Sequence, residues 1–233
     1  PGRPKEAPFS YMIWGGTKTD TVLDRIECIK NNSLPVEYIW MDAGWYGADA
    51  KPSKNEFEGD WWSHTGDWEV SSLIHRNDLK DVANAVHNAD KKFLLWFEPE
   101  RISQTSAFFK KHPEHLLTCE EDKGSALLNI GEQNTWEYCH NMLKGHISRL
   151  KLDCLRIDFN FSPLPFWRKN DEENRNGITE IKYINGLYRL WDTLLAERNH
   201  LTKPCISRHN SGSFFRKRGK TLAYEFTLRL HFL

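Results

Sequence analysis

The sequence predicts an α/β fold in which a parallel sheet is covered by helices, of the (βα)8 TIM-barrel type and incomplete, holding the first five or so βα units. Three observations lead there. Short apolar runs alternate with amphipathic stretches, the pattern of strand–helix–strand units. No glycine-rich phosphate fingerprint follows the first strand, which argues against a dinucleotide-binding sheet. And three of the apolar runs end in a carboxylate, Asp42, Glu98 and Asp158, at the strand tip from which such a barrel presents its chemistry.

The elements follow in order. Tyr11 to Trp14 is an apolar run closed by Gly15 and Gly16; Asp20 then caps a helix with Val22, Leu23, Ile26 and Ile29 on one face. Asn31, Asn32, Ser33 and Pro35 end that helix, and Tyr38 to Asp42 reads as a buried strand. A long aromatic and polar stretch runs from Ala43 to Asn77. Asp78 caps a second helix carrying Leu79, Val82, Ala85 and Val86, which feeds the strand Lys92 to Glu98. A short helix from about Ser103 to Lys111 stops before Pro113, and a longer one spans about Asn134 to Leu150. The strand Cys154 to Asn160 comes next, then a helix over roughly Thr179 to Arg198 and a weak strand near Cys205.

Composition narrows the functional classes. Among 233 residues, 32 Lys and Arg balance 32 Asp and Glu, so no global field draws the chain to nucleic acid or anionic lipid. No apolar run approaches the roughly 20 residues of a membrane helix, and no apolar signal-peptide core follows Pro1. Cys28, Cys119, Cys139, Cys154 and Cys205 are odd in number and irregularly spaced, which supports neither a disulfide framework nor a zinc knuckle and points to a reducing, cytoplasmic setting. His64, His75, His112 and His115 lack helical ligand spacing with a partner acid and read as surface or loop histidines, so no metal is assigned. The two Asn-x-Ser triplets at Asn31 and Asn160 read as chance matches, and Arg216, Lys217, Arg218 and Lys220 as a solvated tail.

A carboxylate beside a hydrophobic strand costs desolvation energy unless something uses its charge. Two chemistries fit three such acids: hard oxygen ligands for Mg²⁺, or groups that grip sugar hydroxyls with one acting as nucleophile in a retaining glycosidase. Trp14, Trp45 and Trp96 fall in the same strand-end layer and favour the sugar. An indole face packs on the apolar face of a pyranose while carboxylates take its hydroxyls, and a magnesium site has no need of one.

The segments Tyr38 to Gly47 (YIWMDAGWYG), Phe93 to Glu100 (FLLWFEPE) and Leu155 to Asn160 (LRIDFN) resemble three signature strands of the α-galactosidases of glycoside hydrolase family 36. Pro163 to Arg168 and Gly177 to Tyr183 are similar to a bacterial-type branch of that family. The similarity runs from about residue 9 to residue 200; the remaining tail, 201–233, diverges. The resemblance implies that residues 1–233 are part of a catalytic (βα)8 barrel that hydrolyses terminal α-galactosides, of the raffinose or melibiose type, with retention through a galactosyl-aspartate. It implies Asp158 as nucleophile, Asp42 as the acid on the distal hydroxyls, and Trp14, Trp45 and Trp96 as pocket walls. Arg156 stands where the family has a cation, commonly Lys; with Asn160 it lies on alternate positions around Asp158, placed to favour the ionised acid and to bind ring hydroxyls. Glu98 and Glu100 are supporting residues. The expected partner is a galactoside or oligosaccharide substrate, with no cofactor, no nucleic acid and no membrane; a homo-oligomer is compatible with the full-length protein.

The departures are as informative. Many relatives carry two consecutive acids at the second strand, where this chain has Asp42 and Ala43. Their turn after the fifth strand is replaced by Ser207 to Ser213, with only Ser211 and Gly212 in register. The family's acid/base falls near residue 231, which is His231, and the tail's one acid is Glu225, so the proton-donating half is missing. A truncated or frameshifted chain is expected on these grounds. A catalytically inactive galactoside-binding fragment and a galactosyltransferase of the raffinose-synthase kind are the alternative functions.

Overall fold

The structure, a computed structural model, describes residues 8–53, 58–197 and 205–208, the last four as backbone alone. Strands β1 (Ser10–Ile13), β2 (Tyr38–Met41), β3 (Lys92–Phe97), β7 (Cys154–Ile157) and β8 (Cys205–Arg208) form one sheet in the order β1-β2-β3-β7-β8, every pair parallel. The order follows the chain and never reverses. With right-handed crossovers, that order puts every connecting helix on one face. The helices α1 (Thr19–Asn31), α2 (Lys80–Asn88), α4 (Gln133–Leu150) and α6 (Ile178–Glu197) accordingly pack in succession, α1 on α2, α2 on α4 and α4 on α6. The chain is therefore an α/β structure with a mostly parallel sheet, and among the described residues that sheet is open.

The alternation of the strands divides the sheet. Ile39, Met41, Phe93, Leu95, Phe97, Leu155 and Ile157 are all within 1% of full burial and supply the centre of the core. The opposite parity is covered unevenly: Met12 is 47% exposed and Trp40, Leu94 and Arg156 are half-buried, while Tyr38, Trp96 and Cys154 are buried. One face of the sheet is thus a packed core and the other is partly covered.

Several local expectations need correction. Asp20 does not cap α1: Lys18 is the N-cap, without a side-chain bond, and Asp20 sits in the first turn, where its charge suits the helix dipole and meets Arg76. Asp78 does not cap α2 either. It lies in a left-handed stretch, Asn77 to Leu79, and Asp81 instead accepts from Asn77 at 2.8 Å and Arg76 at 3.0 Å. The helix expected from Ser103 is shorter, α3 (Ala107–Lys111), because Arg101–Ser103 is spent as a strand, β4. With β5 (Leu116–Cys119) and β6 (Asp122–Leu128) it makes a three-stranded antiparallel sheet, order β4-β6-β5, absent from the sequence reading. Also unforeseen is α5 (Leu164–Lys169), which buries Phe166 and Trp167. Cys119 and Cys139 are buried free thiols and Cys28 an exposed one. Among the described residues no helix is long and apolar enough to cross a membrane.

Candidate active site

The site grows out of the register. Ile13 pairs with Met41, Met41 with Leu95 and Leu95 with Leu155, so the next residues along, Trp14, Asp42, Trp96 and Arg156, share one layer at the strand ends. The ladder runs past the strands: Asp42 N–H donates to Ile13 O at 2.9 Å, Gly15 N–H to Ala43 O at 2.8 Å and Asp158 N–H to Phe97 O at 2.8 Å. Gly15 is required here. A Cβ on it would lie 2.5 Å from the Asp42 carbonyl oxygen, so its bare backbone lets the end of β1 close against the end of β2. Glu98 and Asp158, two positions on, form the layer above.

Asp158 is 9% exposed and its carboxylate is fully oriented. Oδ1 accepts its neighbour Phe159 N–H at 3.0 Å; Oδ2 accepts the Trp96 indole N–H at 3.0 Å and the Asn160 amide at 3.1 Å. Asn160 is held in turn, its backbone N–H donating at 2.7 Å to Glu98, a fully buried carboxylate that also takes Arg101 at 2.5 Å. Behind this, Glu100 is 1% exposed and accepts the Tyr183 hydroxyl at 2.6 Å, tying α6 to the loop after β3. The buried Cys139 thiol titrates above its ordinary range, through burial first and the Glu100 charge second. Both glutamates are buried and hydrogen-bonded to neighbouring elements.

Asp42 is half-buried, and desolvation raises its pKa above the ordinary value. The Ala43 N–H, 2.7 Å from Oδ1, and Arg156 oppose the rise, while Asp158 adds to it. The three charges thus share one electrostatic neighbourhood. Arg156 lies with its guanidinium 4.6 Å from the Trp40 ring centroid, and its buried Nε has no hydrogen-bond partner among the described residues. A cation held by stacking rather than by an ion pair keeps its donors free for a ligand.

The tryptophans separate. Trp14 is half-buried and meets Trp61 edge-on at 5.9 Å; Trp61 meets Trp96 edge-on at 5.9 Å, so the three form a continuous aromatic wall beside the acids. Trp45 does not belong to it. It is fully buried, packed against Tyr46, Trp68, Phe97 and His146, with its indole N–H given to the Trp96 carbonyl at 2.9 Å. Gly44, at φ +101, turns the chain between Asp42 and Trp45 and sends the indole into the core. Trp45 supports the wall from behind. Trp61 and Trp40 were not among the expected site residues, although both belong to the cluster Trp40, Trp45, Trp61, Trp62 and Trp68 visible in the sequence; the signal for Trp40 is its parity with Asp42, and for Trp61 that cluster in a polar loop.

The histidines also need correction. His75, expected as a surface or loop histidine, is fully buried, and His146, for which nothing was expected, is 8% exposed. His75 donates from Nε2 to Gly15 O at 2.9 Å, and burial pushes its pKa down to about 4. The one group of described residues with three convergent metal-type ligands is His112, Glu114 and His115, which includes none of Asp42, Glu98 and Asp158. His231, Glu225 and the basic run Arg216 to Lys220 lie outside the described residues.

Comparison with known proteins places this geometry. The Melibiase family matches residues 3–212. Among curated relatives, the chain is 28% identical over 195 residues to α-galactosidase Mel36A of Lactobacillus acidophilus, covering 81% of this chain and 25% of that protein. It is 25% identical over 206 residues to α-galactosidase AgaA of Geobacillus stearothermophilus, covering 85% of this chain and 27% of the relative. The chain thus spans about a quarter of the length of these curated relatives. A crystal structure of a variant of AgaA, a glycoside hydrolase family 36 α-galactosidase, in complex with stachyose superposes with a TM-score of 0.72 at 20% identity, over 88% of this chain and 28% of that one. The α-galactosidase of Lactobacillus brevis gives a TM-score of 0.66 at 20% identity, over 88% of this chain and 27% of that one. At such identity the two superpositions establish a shared fold.

Proposed function

The chain belongs to the Melibiase family, and we propose that it is the nucleophile-bearing part of the catalytic domain of a retaining α-galactosidase, acting on terminal α-galactosides of the raffinose and melibiose type. The observation that carries the reading is the Asp158 carboxylate. Three donors fix it at the end of a parallel strand, in the electrostatic company of Asp42 and Arg156 and beside a tryptophan wall. In retaining hydrolysis an oriented carboxylate attacks the anomeric carbon while a second carboxyl, about 5 Å away, protonates the leaving oxygen. Asp158 takes the first role. Asp42 accepts hydrogen bonds from the distal hydroxyls, Arg156 donates to hydroxyl oxygens, and the apolar sugar face lies on Trp14. The proton-donating carboxyl is assigned to no described residue.

The five parallel strands are, in this reading, the opening strands of a (βα)8 barrel. Their chain-ordered, one-sided winding supports it, as do the superpositions on the Geobacillus and Lactobacillus enzymes. The partly covered sheet face is then the barrel interior, where the charged layer faces the axis.

A dinitrophenyl α-galactoside, whose phenolate departs without protonation, tests the function. The expected result is a burst of one phenolate per folded chain followed by slow turnover, abolished in Asp158→Asn. Galactose binding with no burst makes the chain a silent binding fragment, and galactose delivered to sucrose in preference to water makes it a transferase.

A further inference from the structure

The turn between α3 and β5 gathers ligands that the galactosidase reading leaves unused. His112 ends α3, and Pro113–His115 forms a single 3-10 turn. Residues three apart on such a turn eclipse one another, so His112 and His115 face the same side, with Glu114 between them. His112 Nδ1 lies 3.2 Å from Glu114 Oε1, His115 Nε2 lies 3.9 Å from the same oxygen, and all three residues bring a ligand atom within 4.8 Å of the others.

Zinc holds imidazole nitrogen and carboxylate oxygen at about 2.0–2.1 Å, which puts neighbouring tetrahedral ligands about 3.4 Å apart. The two separations from the Glu114 oxygen are within about half an ångström of that figure. Two imidazoles with one carboxylate also suit zinc, nickel or copper rather than magnesium or calcium, which select all-oxygen sets.

The rings are held for the task. His115 Nδ1 faces Thr135 Oγ1 at 2.8 Å; donation to that hydroxyl leaves the Nε2 lone pair directed at Glu114, the outer bond that ligating histidines commonly make. His115 stacks on Phe108 and on Tyr138, with centroids 6.2 and 5.7 Å away, and His112 leans on Phe108 at 4.9 Å. The Glu114 side chain is 60% exposed and that of His112 45%, so an ion can enter from solvent. We propose that His112, Glu114 and His115 bind one divalent transition metal of the zinc class, with water in the fourth position. The ion clips the end of α3 to the start of β5 and, through Thr135, to α4.

Isothermal titration of the chelator-stripped chain with zinc chloride tests this. The expected result is one equivalent bound in the micromolar range or tighter, with visible absorption of a tetrahedral site when cobalt replaces zinc. Glu114→Gln changes an exposed side chain and leaves the fold in place; it should weaken zinc about tenfold or more, and His112→Gln with His115→Gln should abolish that equivalent and the zinc-dependent rise in melting temperature. Circular dichroism checks folding. No saturable zinc binding, or binding unchanged by these substitutions, overturns the proposal. Neither result bears on Asp158.

Discussion

Acid should destabilise this chain through His75. The imidazole is fully buried between β1 and α1, donating from Nε2 to Gly15 O at 2.9 Å with Nδ1 facing Thr19 Oγ1 at 3.3 Å. Burial lowers its pKa from the model-compound 6.5 to about 4. Because the folded pKa is the lower one, the unfolded chain binds more protons between those values. Stability is therefore complete above about pH 6.5 and is lost as pH falls towards 4. The loss amounts to about 2 kcal/mol at pH 5 and about 3 kcal/mol by pH 4. His146, buried and beside Arg149, is depressed to about 4 as well, by burial first and the guanidinium second, and adds a similar amount. Together they approach the total stability of an ordinary domain, roughly 5–15 kcal/mol. Urea denaturation of the wild-type chain and His75→Gln at pH 7, 6 and 5 measures the effect. Gln is uncharged at every pH, so the variant, weaker at pH 7, should lose about 2 kcal/mol less than wild type between pH 7 and 5. Parallel pH dependences in the two proteins would refute the argument that His75 is held neutral by the fold.

The other predictions concern the site. Trp96→Phe removes one of the two side-chain donors to Asp158; a hydrogen bond to a charged group is worth about 1.5–3 kcal/mol, so the phenolate burst should slow about tenfold to a hundredfold with the fold intact by circular dichroism. Trp45→Phe deletes a buried bond to Trp96 O and should cost about 1–3 kcal/mol in urea denaturation while galactose affinity per folded molecule stays unchanged, whereas Trp14→Ala should lower that affinity; the reverse pattern would return Trp45 to the pocket wall. Gly15→Ala drives a methyl against the Asp42 carbonyl and should destabilise by about 1–3 kcal/mol, read as a lower urea midpoint.

The sheet was legible because its strands read as short apolar runs set between helical patterns; each of the five found had its counterpart in the sequence. Trp14, Asp42, Trp96 and Asp158 were legible as strand-end residues because such a position survives small errors of boundary, but their layering was not: the register sets Arg156 beside Asp42 and puts Glu98 and Asp158 one layer above, where a single layer of acids was expected. What escaped was decided by tertiary contact. Nothing local distinguishes Trp45 from Trp14: the turn at Gly44 sends one indole inward, and only the packing of Trp68 and His146 reveals it. The sheet of β4, β5 and β6 escaped because β4 has three residues and pairs across some 25 positions, too little for periodicity to register. The capping role given to Asp78 failed because Asn77 to Leu79 is a left-handed run, in which Asp78 O meets Arg149 of α4, a contact no local rule contains.

The central claim, that Asp158 forms a covalent bond with galactose, is tested most directly by mass spectrometry. A fluorinated galactosyl donor with an activated leaving group, which slows release of the sugar, is incubated with the chain, and the protease digest is sequenced. The account predicts one added fluorogalactosyl mass on the peptide that carries Asp158, lost in Asp158→Asn. An adduct on another carboxylate, or none in a chain shown to be folded and to bind galactose, would contradict it.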